Sequence, residues 1–190
     1  MDLNDEQLAA AASRGDKAAM EVLIYRYHNS IYRYIYRLTA SESSAQDLAQ
    51  ETFLHAIQAL HDGKPPRSFR PWLYTIASNL CRDMWRSGRY LHEEACDISD
   101  MDVPCDNDGA IVDLLERQQL RRRVIEAVTS LPMDVRQPVV LHFYEDMKVK
   151  DIAAVMDIPE GTVKSRLHRA YKLLKGRLSN DEGSAGDERA

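Results

Sequence analysis

Turn-forming residues are scarce in this sequence: its 190 residues include 8 glycines and 7 prolines, a shortage that favours helices over a turn-rich β architecture. Cysteine is scarcer still. Cys81, Cys96 and Cys105 are too few and too irregular for a disulfide framework, which fits a reducing compartment. No run approaches the roughly 20 apolar residues that span a bilayer, so no direct membrane insertion is expected. The opening stretch MDLNDEQLAAAASRGD is acidic and has no apolar centre of the signal-peptide kind, so a cytoplasmic location is expected. The sequence also has no phosphate-binding glycine loop, no nucleophile–base constellation and no metal-ligand pair at helical spacing. An enzyme is therefore not expected, nor a cofactor or resident metal. His92, Cys96 and Cys105, with Cys81 nearby, are soft ligands that could gather a zinc ion, but they form no C-x-x-C pair.

Positive charge is in deficit overall, with a net charge of -5, which alone argues mildly against a nucleic-acid partner. Its distribution reverses that argument. Residues 91–116 carry nine acids and no Lys or Arg, and residues 179–190 carry four acids and one Arg. The rest of the chain is therefore basic, with six Lys or Arg in 64–90 and six in 160–178. Two basic patches flank an acidic segment.

Helical periodicity predicts helices over 5–12 and 17–38, a break at 41–44, and helices over about 45–60 and 70–87. Leu48, Thr52, Ala56 and Ile57 are read as the apolar side of the third helix. Between the third and fourth helices, HDGKPPRS (61–68) must be a loop, because Gly63 and the Pro65-Pro66 pair cannot continue a helix. The acidic stretch after 88, broken by Pro104 and Gly109, reads as a flexible linker. Further helices are predicted at about 113–130, 133–145, 149–156 and 159–176. The expected fold is all-α: two small helical domains, 1–88 and 113–178, joined by a flexible acidic linker (89–112), with a disordered tail over 179–190.

The strongest local pattern is VKDIAAVMDIPEGTVKSRLHRAYKLLK (149–175), a short helix, a tight turn and a longer helix. In the longer helix Val163, Leu167, Ala170 and Leu174 share one stripe. Gly161, Ser165, His168, Arg169 and Lys172 share the opposite one, flanked by Lys164 and Arg166. One packed face and one face of donors suit a helix that enters a DNA major groove. The flanking cations would meet phosphates, and Ser165, His168 and Arg169 could reach base edges.

In the first half, Asp47, Gln50, Glu51 and Leu54 recur at i, i+3, i+4 and i+7. That stripe could dock a basic partner helix, though spacing alone describes an ordinary solvated face better. The string FRPWLYTIASNLCRDMWRS (69–87) interleaves aromatics with cations. Phe69, Trp72, Leu73, Ile76 and Leu80 read as core. Tyr74, Asn79, Arg82, Trp85 and Arg86 offer rings, an amide and cations, which suit single-stranded DNA. Trp85 fits a lid on the core edge as well as it fits a contact. The kinked loop 63–68 could form a pocket for an extruded base.

Taken in order, DLAQETFL (47–54), FRPWLYTIASNLCRDMWR (69–86) and SLPMDVRQPVVLHFYEDMKVKDIAAVMDIPEGTVKSRLHRA (130–170) resemble the extracytoplasmic-function sigma factors along about 1–178. The resemblance implies a subunit that binds core RNA polymerase, at the clamp of the beta-prime subunit and the flap of the beta subunit, and directs it to promoter DNA. It gives polymerase binding to Asp47, Gln50, Glu51 and Leu54. It gives the minus-ten element to Gly63, Lys64, Arg67, Ser68, Asn79, Arg82, Trp85 and Arg86, with Asn79 and the 63–68 loop holding a flipped base. It gives the minus-thirty-five element to Thr162, Lys164, Ser165, Arg166, His168, Arg169 and Lys172. An anti-sigma factor is a further expected partner. With its patches loosely tethered and the whole chain acidic, the isolated protein is expected to bind duplex weakly. The rival is a stand-alone helix-turn-helix regulator, which would leave the tryptophan-rich 69–87 helix without a use.

Overall fold

A computed structural model describes residues 3–63, 65–87, 120 and 122–184, with side chains to 177. Among them every regular element is helical. The first bundle holds α1 (Asp5–Ala12), α2 (Lys17–Thr39), α3 (Glu42–His61) and α4 (Phe69–Arg86). The second holds α5 (122–129), α6 (Met133–Val139), a π turn (Val140–Tyr144), α7 (Val149–Met156) and α8 (Glu160–Ser184).

Local chemistry sets the ends. The Asp16 side chain accepts from the Ala19 amide at 3.1 Å and starts α2, satisfying one of the amides that a helix start leaves unpaired. The third helix starts at Glu42, earlier than its apolar periodicity implies, because the Ser41 hydroxyl accepts from the Ser44 amide at 3.2 Å. The serines read as a break are thus a cap and a first turn. Gly63 ends that helix with φ +81°, a left-handed conformation that a side chain would strain.

On α2, Leu23, Tyr27, Ile31, Tyr34, Ile35 and Leu38 are all buried, at helical spacing, so this helix forms the spine of the first bundle. Phe69, Leu73, Ala77 and Cys81 of α4 and Leu48, Thr52 and Ala56 of α3 close around it. Each fully buried large aliphatic contributes about 1.5–3 kcal/mol relative to exposure. Ile57, expected on the apolar side of α3, is 41% exposed. It lies nine residues beyond Leu48, half a turn round the helix from it.

The helix expected over 133–145 changes character midway. Pro138 lacks an amide hydrogen and crowds the preceding turn, and from Val140 the ladder widens. The Glu145 amide reaches the Val140 carbonyl at 3.2 Å and the Met147 amide reaches that of Leu141 at 2.9 Å. Asp146, at φ +49°, completes the reversal.

The two bundles are not separate bodies. Helix α4 packs against α7, and α2 against α6 and the π turn, so that one apolar core runs through both. The linker expected over 89–112 lies outside the described residues.

Candidate nucleic-acid interface

The stripe on α3 is a surface. Asp47, Gln50, Glu51 and Leu54 are all exposed, Leu54 by 64%. The Glu51 carboxylate lies 3.7 Å from the His55 ring nitrogen, an open contact that contributes little to stability. The exposed apolar group extends further than periodicity implied, because Ile57 of the same helix is exposed too. On α2, which packs against α3, Val22 and Tyr25 are likewise exposed. Both fall off the buried stripe of α2, Tyr25 about 200° round the helix from Leu23.

Loop and helix cooperate at the start of α4. The amide of Phe69 donates to the Glu6 side chain at 3.4 Å, so a residue of α1 takes the capping role. The Ser68 side chain makes no cap bond and is exposed, as are Gly63 and Arg67. Lys64 lies outside the described residues. Pro65 is exposed and Pro66 half-buried.

Along α4 the predicted contacts divide. Asn79 and Arg86 are exposed, while Arg82 and Trp85 are half-buried. Arg82 donates to the Asn79 side-chain oxygen at 2.9 Å. Trp72 packs on Phe69 with ring centroids 5.6 Å apart, which is the core role expected of it. Trp85 lies against the core edge and also lines an open cleft. Tyr74, read as a nucleic-acid contact, is instead fully buried and donates to the Glu145 carboxylate. Burial first, and then that carboxylate, raise its phenol well above the ordinary range, so it stays a donor. Its apolar environment and its cross-bundle partner could not be read from helical spacing.

Cys81 is also buried, and its thiol is pushed up to about 12 by burial. Among the described residues no group of three or more His, Cys, Asp and Glu could hold a metal ion. His92, Cys96 and Cys105 lie outside those residues.

The turn between α7 and α8 is built by Asp157, at φ +54°, whose amide and that of Ile158 satisfy the carbonyls of Ala154 and Ala153. Pro159 precedes α8 and offers its carbonyl to the amides of Thr162 and Val163 at 2.9 and 3.1 Å. Val163 and Ala170 are buried and Leu167 and Leu174 half-buried, so the packed stripe is as expected. Lys164, Ser165, His168, Arg169 and Lys172 are exposed on the other side, while Thr162 and Arg166 are half-buried. The Ser165 hydroxyl donates to the Thr162 carbonyl at 2.9 Å. Arg169 rests 3.6 Å from Asp134 of α6, both about half exposed, a pair weak enough to part for a ligand. Arg166 faces the same cleft as Arg82, Trp85 and Arg86.

The model of Sigma-70 region 2 matches residues 23–90, and that of Sigma-70, region 4 matches residues 121–174. The chain is 33% identical over 177 residues to the RNA polymerase sigma-H factor of Pseudomonas aeruginosa, covering 90% of this chain and 91% of that one. It is 31% identical to the ECF RNA polymerase sigma-E factor of Haemophilus influenzae over 183 residues, covering 93% and 96%. Among solved structures it resembles CnrH in complex with the cytosolic domain of CnrY, with a TM-score of 0.70, 27% identity and coverage of 93% and 98%. The fold also matches the sigma factor RpoE of Bartonella quintana, solved with the anti-sigma factor NepR, at a TM-score of 0.61, 22% identity and coverage of 84% and 96%.

Proposed function

The chain belongs to the sigma-70 family, in its extracytoplasmic-function branch, and from that premise we propose that it docks on core RNA polymerase through α3 and reads two promoter elements through α4 and α8. One observation carries this reading: a single chain presents an acidic stripe with an apolar edge on α3, an exposed amide–guanidinium pair on α4, and an exposed basic face on the second helix of a helix-turn-helix. Asp47, Gln50, Glu51 and Leu54 bind the clamp of the beta-prime subunit, and the second bundle binds the flap of the beta subunit. Gly63, Lys64, Arg67, Ser68, Asn79, Arg82, Trp85 and Arg86 hold the minus-ten strand. Thr162, Lys164, Ser165, Arg166, His168, Arg169 and Lys172 meet the minus-thirty-five duplex. In this reading the chain divides into 1–88, a linker over 89–112, 113–178 and a tail over 179–190, and the stretches matched at 23–90 and 121–174 support the two larger parts. Nucleotide polymerisation belongs to the partner.

No helix among the described residues is long and apolar enough to cross a membrane. The proposed role places the protein with core polymerase in the cytoplasm. An anti-sigma factor completes the proposed partner set; two similar proteins were solved with a bound partner, CnrH with the cytosolic domain of CnrY and the sigma factor RpoE with the anti-sigma factor NepR.

Transcription from a promoter library tests the reading. Core polymerase with this protein should initiate from a restricted set of promoters, in a salt-sensitive manner, while the free protein binds duplex weakly. Tight sequence-specific binding by the free protein, with no stimulation of core polymerase, would identify a stand-alone regulator instead.

A further inference from the structure

Two neighbouring acids of α1 converge on one residue of α4. Glu6 accepts from the Phe69 amide at 3.4 Å, across 63 positions of sequence. Asp5 accepts from the Tyr27 hydroxyl, and the Tyr27 ring packs on the ring of Phe69 with centroids 5.5 Å apart. Phe69 is fully buried and stands where the loop ends and α4 begins. Its position is therefore fixed twice, at the backbone and at the ring, by a helix remote in sequence.

Within the first bundle α4 is the exception in how it starts. Before α1, α2 and α3, the side chains of Asn4, Asp16 and Ser41 each accept from an amide of the first turn. Ser68 stands in the same place before α4, with extended backbone, yet its side chain makes no cap bond. Glu6 supplies an acceptor there, and its negative charge suits the positive end of the α4 dipole. The helix that carries Glu6 is itself well held. Asn4 and Gln7 close a reciprocal pair of bonds at its start, at 2.8 and 3.1 Å, and Leu8 and Ala9 are buried. Asp5 also accepts from the Arg26 guanidinium of α2. Burial first, and then Asp5, raise the Tyr27 phenol well above the ordinary range, so its hydroxyl remains a donor.

We propose that Glu6 is a positioning residue for capture of the minus-ten strand: from α1 it takes over the capping of α4, fixes the end of the loop at 65–68 and leaves the Ser68 hydroxyl available to the strand. The inference rests on the sigma-factor reading for what the loop grips, though not for how α1 holds it. A hydroxyl engaged as a cap is committed to its own helix, whereas one relieved of that task can donate or accept outward. A loop end already fixed also loses less entropy on gripping an unstacked base. The sign of the charge separates this role from a plainer one. A carboxylate with no other role beside a strand-binding loop repels phosphates, so its removal tightens binding. The positioning role requires the opposite.

The test uses core polymerase carrying the full chain, on a promoter drawn from the library. Binding to a fork-junction DNA, whose minus-ten non-template strand is unpaired, is measured beside binding to a fully paired minus-thirty-five fragment. Hydrogen exchange of the Phe69 amide is followed in the free protein. Glu6→Ala should weaken fork-junction binding by about two- to tenfold, the effect of one lost hydrogen bond, and should speed exchange at Phe69. Its binding to the paired fragment should not change. Glu6→Gln keeps an acceptor oxygen and discards the charge. It should bind the fork at least as tightly as the wild type and keep the Phe69 amide protected. A Glu6→Ala protein that binds the fork as well as the wild type or better overturns the proposal. So does equal weakening in the Ala and Gln variants, a parallel loss on the paired fragment, or unchanged exchange at Phe69. Faster exchange in Glu6→Ala, beside a wild type that binds neither DNA with core polymerase, leaves the cap on α4 standing and removes the sigma-factor reading.

Discussion

Arg82 donates to the side-chain oxygen of Asn79 across 2.9 Å, one turn apart on α4. The bond makes the oxygen of the amide its occupied end and leaves the NH2 as the donor. Asn79 is exposed, and its side chain satisfies no backbone group among the described residues.

Asn79→Ala should therefore spare the fold and impair promoter opening. Surface changes of this kind shift stability by within about 0.5 kcal/mol. Losing one hydrogen bond of about 0.5–1.5 kcal/mol to an extruded base predicts opening weaker by about two- to tenfold. Permanganate footprinting of unpaired thymines, beside a thermal melt of the free protein, reads both quantities. Unchanged opening by the folded variant would remove Asn79 from the pocket.

Replacing both Asp47 and Glu51 by Arg should abolish association with core polymerase. Each is exposed, and only the weak Glu51–His55 pair is lost, so the melting temperature should hardly move. Co-purification with polymerase is the measurement. Normal recovery of the double variant would place the docking surface elsewhere.

Most of the architecture is legible in the sequence because helical periodicity reports burial within one helix. The α2 spine, the α7–α8 turn and the packed stripe of α8 follow from it directly. Tyr74 and Glu145 do not. Their chemistry is set by each other, 71 residues apart, and a polar side chain reads as exposed until its partner is known. The π turn is similar: Pro138 marks a disturbance, but which way the chain leaves it depends on what Glu145 must reach. Ser41 to Ser44 were misread for a local reason, since the same residues that break a helix interior also cap its start.

Arg169→Ala and Lys164→Ala should differ. A base-edge contact by Arg169 is worth about 1–3 kcal/mol of discrimination, so its loss should relax preference at one minus-thirty-five position. Losing a phosphate contact at Lys164 should weaken all promoters alike and reduce the salt slope by about one. Asp134→Ala, which frees Arg169 from its 3.6 Å partner, should leave the discrimination intact. A promoter library assayed at several salt concentrations separates the cases. Identical behaviour of the two variants would refute the division.

Cys81 should resist alkylation in the folded protein. With its thiol pushed up to about 12, the thiolate fraction at pH 8 is about one in ten thousand, and the sulfur is enclosed. Mass spectrometry after a short iodoacetamide pulse should find Cys81 modified only once denaturant is added. Rapid native labelling would mean that α4 opens from the bundle.

Closure of the two bundles should strengthen on mild acidification. Burial raises the Glu145 carboxyl above its ordinary range, against the opposing pull of Tyr74, Arg37, Arg70 and Arg33. A carboxyl whose pKa is higher in the closed form than in the open form favours closure when protonated. That contribution is complete below the ordinary carboxylate value and is lost as pH rises through the raised one. The groups facing it are Arg33 and Arg37 from α2, Arg70 and Tyr74 from α4, and Tyr144 from its own turn. The arginines keep their charge across this range, and the raised Tyr74 phenol stays protonated, so Glu145 is the titrating member. Glu145→Gln supplies the control, because its neutral amide oxygen can still accept from Tyr74 and cannot titrate. The radius of gyration of the wild type should fall as the pH is lowered through the raised value of this carboxyl, while the Gln variant should remain closed and unchanged over the same interval. Equal pH responses in the two proteins would assign the effect to some other group.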